Sequence, residues 1–182
     1  MEEEYIADLF AAYGNIPIKY SNKSVIHSQR QVEPTTQQIE RVFSAELYHQ
    51  LRKIMDIKEN RYIDLILHTE IGKLINNNTV QHPDMVLHGG QIGPNRENNN
   101  KIFLELKMDE FDNADFEKIY YALENLNYKY GVYIIHNMGI NEIRSVFDRI
   151  RNGYPNLNNY LSRIYFMNAK NGVFNLNYLN NR

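Results

Sequence analysis

The chain has 182 residues, of which 43% are hydrophobic and 23% are charged, a size and composition typical of one globular domain. It contains no cysteine, so disulfides and thiolate metal sites are excluded, and any metal must bind through oxygen or imidazole. A net charge of −2 argues against a protein that simply coats nucleic acid, although an enzyme can concentrate lysine and arginine locally.

The first third of the chain is predicted to be helical. Residues 2–13 form a short amphipathic helix that ends at Gly14, and residues 14–34 are irregular. A long helix follows over residues 36–56. Its apolar residues recur at the three- and four-residue spacing of one helix face: Ile39, Val42, Phe43, Leu47, Leu51 and Ile54.

The central third is predicted to hold three strands. The first, over residues 62–68, places its alternating apolar side chains on one face: Ile63, Leu65 and Leu67. Asn76–Asn78 is predicted to be a polar turn, and a second strand covers residues 85–87. Residues 102–107 form the third strand, the most strand-like segment in the chain.

The last third alternates helices with strands. Its predicted elements are a helix over 114–126, a buried strand over 131–136, a helix over 140–151, and a hairpin of strands 164–167 and 173–178. The dipeptide Asn171-Gly172 supports the hairpin turn. The order of helix, three strands, helix and strand predicts a single α/β domain, with helices flanking a central mixed sheet.

Charged residues on the second and third predicted strands carry the candidate chemistry. Glu105 and Lys107 share one face of their strand, because side chains alternate. Asp84 follows Pro83 and would lie opposite Glu105 if the two strands pair as an antiparallel hairpin. Two close carboxylates repel each other unless a cation sits between them, and Mg²⁺ suits such a pair. The alternatives are a surface ion pair for Glu105 and Lys107, and a turn for Pro83-Asp84.

The long helix supplies a third carboxylate. Viewed down the helix axis with Ile39 at 0°, Glu46 lies at about 340° and Gln50 at about 20°. Both positions are on the edge of the apolar arc, the side of the helix that carries the apolar residues. Polar side chains on an inward face need partners. Glu46 therefore caps a buried hydrogen-bond network, extends to the solvent-exposed rim, or points at the metal or its water.

Together these segments resemble the PD-(D/E)xK nuclease superfamily, whose fold is restriction-endonuclease-like. Glu46 on a helix, Asp84 after a proline, and the Glu105-x-Lys107 strand follow the family pattern. The core of that family runs helix, three strands, helix and strand, and the similarity covers about residues 36–136.

The resemblance implies Mg²⁺-dependent hydrolysis of nucleic-acid phosphodiester bonds, with DNA expected rather than RNA and with Mn²⁺ as a substitute ion. Asp84 and Glu105 would ligate the metal, assisted by the backbone carbonyl of Leu106. Lys107 would position the attacking water or stabilise charge on the phosphate. Glu46 would hold a water of the metal or a second ion.

Two further residues are candidate substrate contacts. Lys118 and Asp115, three residues apart, are expected to be a solvated helix pair, with Lys118 a candidate at the rim of the site. His88 is expected at a strand end near the substrate. A zinc site that combines His88 with His68 and His82 is disfavoured, because no H-x-x-x-H spacing is present.

Two alternatives compete with the nuclease interpretation. A non-catalytic nucleic-acid-binding or assembly module on the same fold is favoured by the low net charge. An unrelated α/β domain would place Asp84 and Glu105 far apart. The expected partner is nucleic acid, with a homodimer as one possible assembly. No apolar stretch reaches the roughly 20 residues of a membrane span, and the acidic start Met1–Glu4 is wrong for a signal peptide, so we expect a soluble, cytoplasmic protein.

Overall fold

The structure is a computed structural model, and it describes these parts of the chain: residues 3–21, 36–69, 73–75, 79–90 and 99–180. The chain divides into two compact units, Met1–Ile63 and Asp64–Arg182, and each is described by itself. The single-domain organisation expected from the sequence stays a prediction. No helix within the described ranges is both long enough and apolar enough to cross a membrane.

The first unit is helical. Its helices are α1 (Glu4–Gly14), α2 (Thr36–Ile57) and α3 (Glu59–Tyr62), with a 3₁₀ turn at Ile18–Tyr20. The predicted register of α2 is confirmed at its main positions, since a row at four-residue spacing is buried: Ile39, Phe43, Leu47, Leu51 and Met55. Val42 and Ile54, predicted on the same face, are half-buried. The ring of Tyr13 in α1 packs against that of Phe43, with centroids 5.9 Å apart.

Asp8 is a buried charge of this unit, with 4% of its surface exposed. Its carboxylate accepts hydrogen bonds from Lys58 at 2.5 Å, Arg61 at 2.6 Å and the Tyr62 hydroxyl at 2.9 Å. Burial alone would raise the pKa of Asp8, but these hydrogen bonds outweigh it and hold the pKa below its ordinary value. The network ties α1 to the segment in which α2 ends and α3 follows.

The second unit contains eight described strands: β1 (Leu65–Thr69), β2 (Lys73–Ile75), β3 (Thr79–Gln81), β4 (Met85–Gly89), β5 (Asn100–Lys107), β6 (Tyr130–Ile135), β7 (Ile164–Asn168) and β8 (Gly172–Asn175). Six of them form one open sheet in the order β1-β4-β5-β6-β7-β8, while β2 and β3 pair separately. The contacts of β6 with β5 and β7 are parallel, and the other pairings in the sheet are antiparallel. This is an α/β fold with a mixed sheet.

Helices flank the sheet: α4 (Asn113–Asn125), α5 (Ile140–Ile150) and α6 (Leu176–Asn180). A parallel strand pair needs a crossover connection, and α4 provides it between β5 and β6. Phe116 and Ile119 of α4 pack into a core with Phe103 and Tyr133 of the sheet. Gly131 in β6 permits this approach, because a Cβ there would clash with Cγ2 of Ile119.

The structure corrects three predicted segments. The first strand begins at Leu65, because the residues before it form α3 and a turn, and Ile63 is exposed. The last predicted strand ends at Asn175, and α6 begins at the next residue, Leu176. The sequence does not indicate the antiparallel pair of β2 and β3, because strands of three residues are too short to show an alternating pattern. The polar turn predicted at Asn76–Asn78 lies outside the described residues. The predicted hairpin turn is confirmed, and Gly172 adopts a φ of 76° there.

Candidate metal centre

The antiparallel pairing of β4 with β5 brings Asp84 next to Glu105. Met85 lies opposite Leu104 in this pair, so the register places Asp84, one residue earlier, opposite Glu105. Directly opposed residues of an antiparallel pair project from the same face of the sheet. The hairpin arrangement expected from the sequence is therefore confirmed, and the two carboxyl groups lie at one end of the strand pair.

The Asp84 side chain completes the hydrogen bonding at this end of the strands. Its Oδ2 accepts the backbone N–H of Leu106 at 2.7 Å. The register places Pro83 opposite Leu106, and proline has no N–H to donate to the Leu106 carbonyl. In a strand, the N–H and the C=O of one residue point toward the same neighbouring strand. The Leu106 carbonyl therefore points toward Asp84, as the Leu106 N–H does. It is the backbone oxygen that the family resemblance names as a metal ligand.

Glu105 is the most deeply buried carboxyl group of the site, with 1% of its surface exposed. Its Oε2 accepts a hydrogen bond from Lys118 Nζ at 3.2 Å, whereas Oε1 has no hydrogen-bond partner among the described residues. Burial, followed by the negative charge of Asp84, raises the pKa of Glu105 to about 9, although Lys118 acts to lower it. Burial also raises the pKa of Asp84. The nearby lysines therefore do not fully compensate the negative charges that Asp84 and Glu105 carry when they are ionised.

Two lysines share one buried aspartate beside this pair. Asp115 in α4 is 5% exposed, and its Oδ1 accepts a hydrogen bond from Lys118 Nζ at 2.6 Å. Its Oδ2 lies 3.1 Å from Lys107 Nζ in an ion pair that lacks hydrogen-bond alignment. Burial alone would lower the pKa of Lys118, but the contacts with Asp115 and Glu105 raise it. A continuous chain of ion pairs thus joins Lys107, Asp115, Lys118 and Glu105.

The donor set of this cluster fits Mg²⁺ or Mn²⁺. Asp84, Glu105 and the Leu106 carbonyl offer oxygen atoms, and Oε1 of Glu105 is a buried oxygen that still needs a partner. Among the residues that the structure describes, no three histidine, aspartate or glutamate side chains are grouped as a metal site. A small number of protein ligands is nevertheless the pattern of Mg²⁺, which keeps several waters and binds substrate phosphate.

Glu46 lies half-buried on α2, in the first unit. Its Oε1 accepts a hydrogen bond from the side chain of Gln50 at 2.6 Å. This contact joins the two polar residues that the helix register places on the edge of the apolar arc, and it is half-buried. The role of Glu46 at a metal stays a prediction.

His88 lies at the opposite end of β4 from Asp84, about 14 Å away along the strand. Its ring is 1% exposed and contacts the Gly89 carbonyl at 2.7 Å and the His68 ring at 3.1 Å. The structure therefore does not bring His88 together with the carboxylate cluster.

The expectation that Asp115 and Lys118 form a solvated helix pair is wrong. Asp115 is buried and Lys118 is half-buried, because α4 packs against β5 and β6. The sequence contains an indication that Asp115 is buried. Viewed down the helix axis with Phe116 at 0°, Asp115 lies at about 260°, next to the apolar Ile119 at about 300°. A charged side chain that borders an apolar arc in this way needs a buried partner.

No protein-family model matches this chain, and no curated protein or solved structure matches it either. Membership of the PD-(D/E)xK superfamily therefore stays a prediction. The residue geometry described above carries the functional proposal.

Proposed function

We propose that this protein is a divalent-metal phosphodiesterase that cleaves nucleic acid, with DNA as the preferred substrate. The carrying observation is the placement of Asp84 opposite Glu105, with the Glu105 Oε1 atom buried and unpartnered among the described residues. Two neighbouring carboxyl groups with raised pKa values favour a cation between them.

The order of elements supports a restriction-endonuclease-like core. Along the chain, α2, β1, β4, β5, α4 and β6 follow the sequence of helix, three strands, helix and strand. Within this set, β1, β4 and β5 are antiparallel neighbours, and β6 joins β5 in parallel. The β2–β3 hairpin is then an insertion between the first two core strands.

Each residue of the cluster has a separate task in this proposal. Asp84, Glu105 and the Leu106 carbonyl would hold the ion. A bound Mg²⁺ neutralises phosphate charge and lowers the pKa of a coordinated water. Lys107 projects from the same face of β5 as Glu105, and its ammonium group would place a fixed positive charge beside the phosphate.

The charges of the cluster suit a phosphodiester. When fully ionised, its three carboxylates and two ammonium groups leave one net negative charge: Asp84, Glu105, Asp115, Lys107 and Lys118. With a divalent cation added, the sum becomes one net positive charge. A phosphodiester group carries a single negative charge and would complete the balance, whereas a doubly charged phosphate monoester would exceed it.

A cleavage assay tests the proposal. The purified protein should nick or cleave DNA with Mg²⁺ or Mn²⁺, and EDTA should abolish the activity. Asp84→Ala and Glu105→Ala should be inactive while folded, and Lys107→Ala should lose a factor of about 10²–10³ in rate. Glu110→Ala is the matched control, because that carboxyl group is exposed and has no contact with the cluster in the described structure.

Two outcomes would count against the proposal. Activity that survives Asp84→Ala would come from a contaminant and would leave the proposal without support. Metal binding without cleavage of DNA or RNA would favour the non-catalytic module on the same fold.

A further inference from the structure

We infer that Asp115 is the positioning residue of this site, because one carboxylate holds the ammonium groups of both Lys107 and Lys118. The inference deepens the proposed function and rests on it where catalysis is concerned. Asp115 is not part of the Pro83-Asp84 and Glu105-x-Lys107 motifs. It would act through the two lysines, by fixing the positions of their ammonium groups.

The fold fixes the position of Asp115 closely. It occupies the first turn of α4, whose N-terminus is capped by the Asp112 side chain, which accepts the Ala114 N–H at 2.9 Å. The backbone N–H of Asp112 in turn donates to the Tyr133 hydroxyl of β6 at 2.8 Å. One turn is thus anchored both to its own helix and to the sheet, and the carboxylate that follows is held over β5.

Lys107 needs such an anchor. It is the last residue of β5, and 29% of its side chain is exposed. A lysine ammonium group is a strongly hydrated point charge on a flexible stem of four carbons, so without an anchor it samples many rotamers in water. The 3.1 Å contact with Asp115 Oδ2 keeps the charge on the Glu105 face of the sheet.

The carboxylate divides its two oxygens between the lysines. Oδ1 accepts the hydrogen bond of Lys118, and Oδ2 contacts Lys107. An asparagine at position 115 has one acceptor oxygen and one NH₂ group, which cannot accept. The oxygen of Asp115→Asn would stay with Lys118, where the hydrogen bond is aligned, and the NH₂ group would face Lys107. The substitution should therefore weaken the hold of position 115 on Lys107 more than its hold on Lys118.

The acetylation rate of Lys107 tests this inference. It is measured in the metal-free protein with acetic anhydride and mass spectrometry, so the test does not require enzymatic activity. We expect Lys107 in Asp115→Asn to react several-fold faster than in the wild type. The exposed residues Lys53 and Lys170 should keep their rates and serve as an internal reference for the reagent, while a native circular dichroism spectrum shows that the variant is folded. Glu117→Gln on the same helix is the matched control and should leave Lys107 unchanged.

A second variant keeps the inference testable if Asp115→Asn fails to fold. Lys118→Met leaves Asp115 in place, so Lys107 should remain as slow to react as in the wild type. An unchanged Lys107 rate in folded Asp115→Asn, or a fast rate in Lys118→Met, would overturn the inference.

Kinetics then connect positioning with catalysis. A misplaced charge lowers kcat, so Asp115→Asn should lose a factor of about 10–100 in kcat with little change in KM. Glu117→Gln, the matched control on the same helix, should keep the wild-type kcat. A wild-type kcat in a folded Asp115→Asn would contradict the inference. If the wild type cleaves no nucleic acid, the proposed function fails, while the acetylation rates still decide whether Asp115 holds Lys107.

Discussion

The Asp84 carboxylate accepts the backbone N–H of Leu106 at 2.7 Å, so a side chain that precedes one strand completes the hydrogen bonding of the next. The acid is held by the backbone of β5, immediately after Glu105. Pro83 is placed opposite Leu106 by the register and cannot donate to its carbonyl. Pro83 and Asp84 thus place a carboxylate oxygen of Asp84 and the backbone carbonyl oxygen of Leu106 together at the end of the strand pair.

Restoring a backbone donor at position 83 should weaken metal binding. In Pro83→Ala the new N–H can pair with the Leu106 carbonyl, as in an ordinary antiparallel ladder. We expect a several-fold loss of Mn²⁺ affinity in calorimetric titration. The cleavage rate at saturating metal should change little, because the carboxylates remain. An unchanged affinity would show that the Leu106 carbonyl is not a ligand.

Glu105→Gln should stabilise the metal-free protein. Because the pKa of Glu105 in the fold is raised from 4.5 to about 9, the ionised carboxyl group destabilises the fold increasingly as the pH rises through that interval. The gain in Tm should therefore be larger at pH 8 than at pH 5. For a chain of this length it should amount to about 2–4 °C for each kcal/mol of relief.

Thermal unfolding with and without Mn²⁺ checks this prediction. The wild type should gain Tm when Mn²⁺ is added, whereas Glu105→Gln should not. Glu110→Gln, in an exposed position, should behave as the wild type in both conditions. A metal-free Glu105→Gln that is less stable than the wild type at pH 8 would show that the buried charge is already compensated.

The Asp8 network predicts a pH dependence of the opposite sign. The folded-state pKa of Asp8 lies below its ordinary value of 3.8, so its stabilisation is complete above that value and is lost as the pH falls through the lowered pKa. Asp8→Asn should cost about 1–3 kcal/mol of unfolding free energy at pH 7. Urea unfolding at pH 7 and pH 3 should show this difference shrinking in acid, and a constant difference would contradict the prediction.

Gly131→Ala tests the close approach of α4 to β6. A methyl group at this position would clash with Ile119 and force the helix or the side chain to move, at a cost of about 1–3 kcal/mol. Gly153→Ala is the matched control, because the added Cβ there meets no atom within 4 Å. Equal unfolding midpoints for the two variants in urea would show that Ile119 yields easily.

The strands and helices with strong periodicity could be predicted from the sequence. Alternation marked β5, four-residue spacing marked α2, and the Asn-Gly dipeptide marked the β7–β8 turn. The pairing of Asp84 with Glu105 followed from two short strands with a polar connection. Elements of three or four residues, such as α3, β2 and β3, carry too few side chains for a period to appear.

The charged contacts of the site could be predicted only in part. The sequence places Glu105 and Lys107 on one face of a strand, but it does not show that Lys107 contacts Asp115 on a helix. That contact depends on how α4 packs on the sheet, where the absence of a side chain at Gly131 leaves room for Ile119. For Glu46, the helix register correctly indicated a half-buried position, and the Gln50 contact is a four-residue helix pair.

Calorimetric titration of Mn²⁺ into the metal-free protein tests most directly whether Asp84 and Glu105 hold a divalent cation. The wild type should bind the ion, and Asp84→Ala and Glu105→Ala should lose binding while their circular dichroism stays native. Lys107→Ala should bind at least as tightly as the wild type, because a nearby positive charge opposes cation binding. A folded wild type that binds no divalent ion, with or without DNA, would contradict the account, and so would an Asp84→Ala variant that binds as the wild type does.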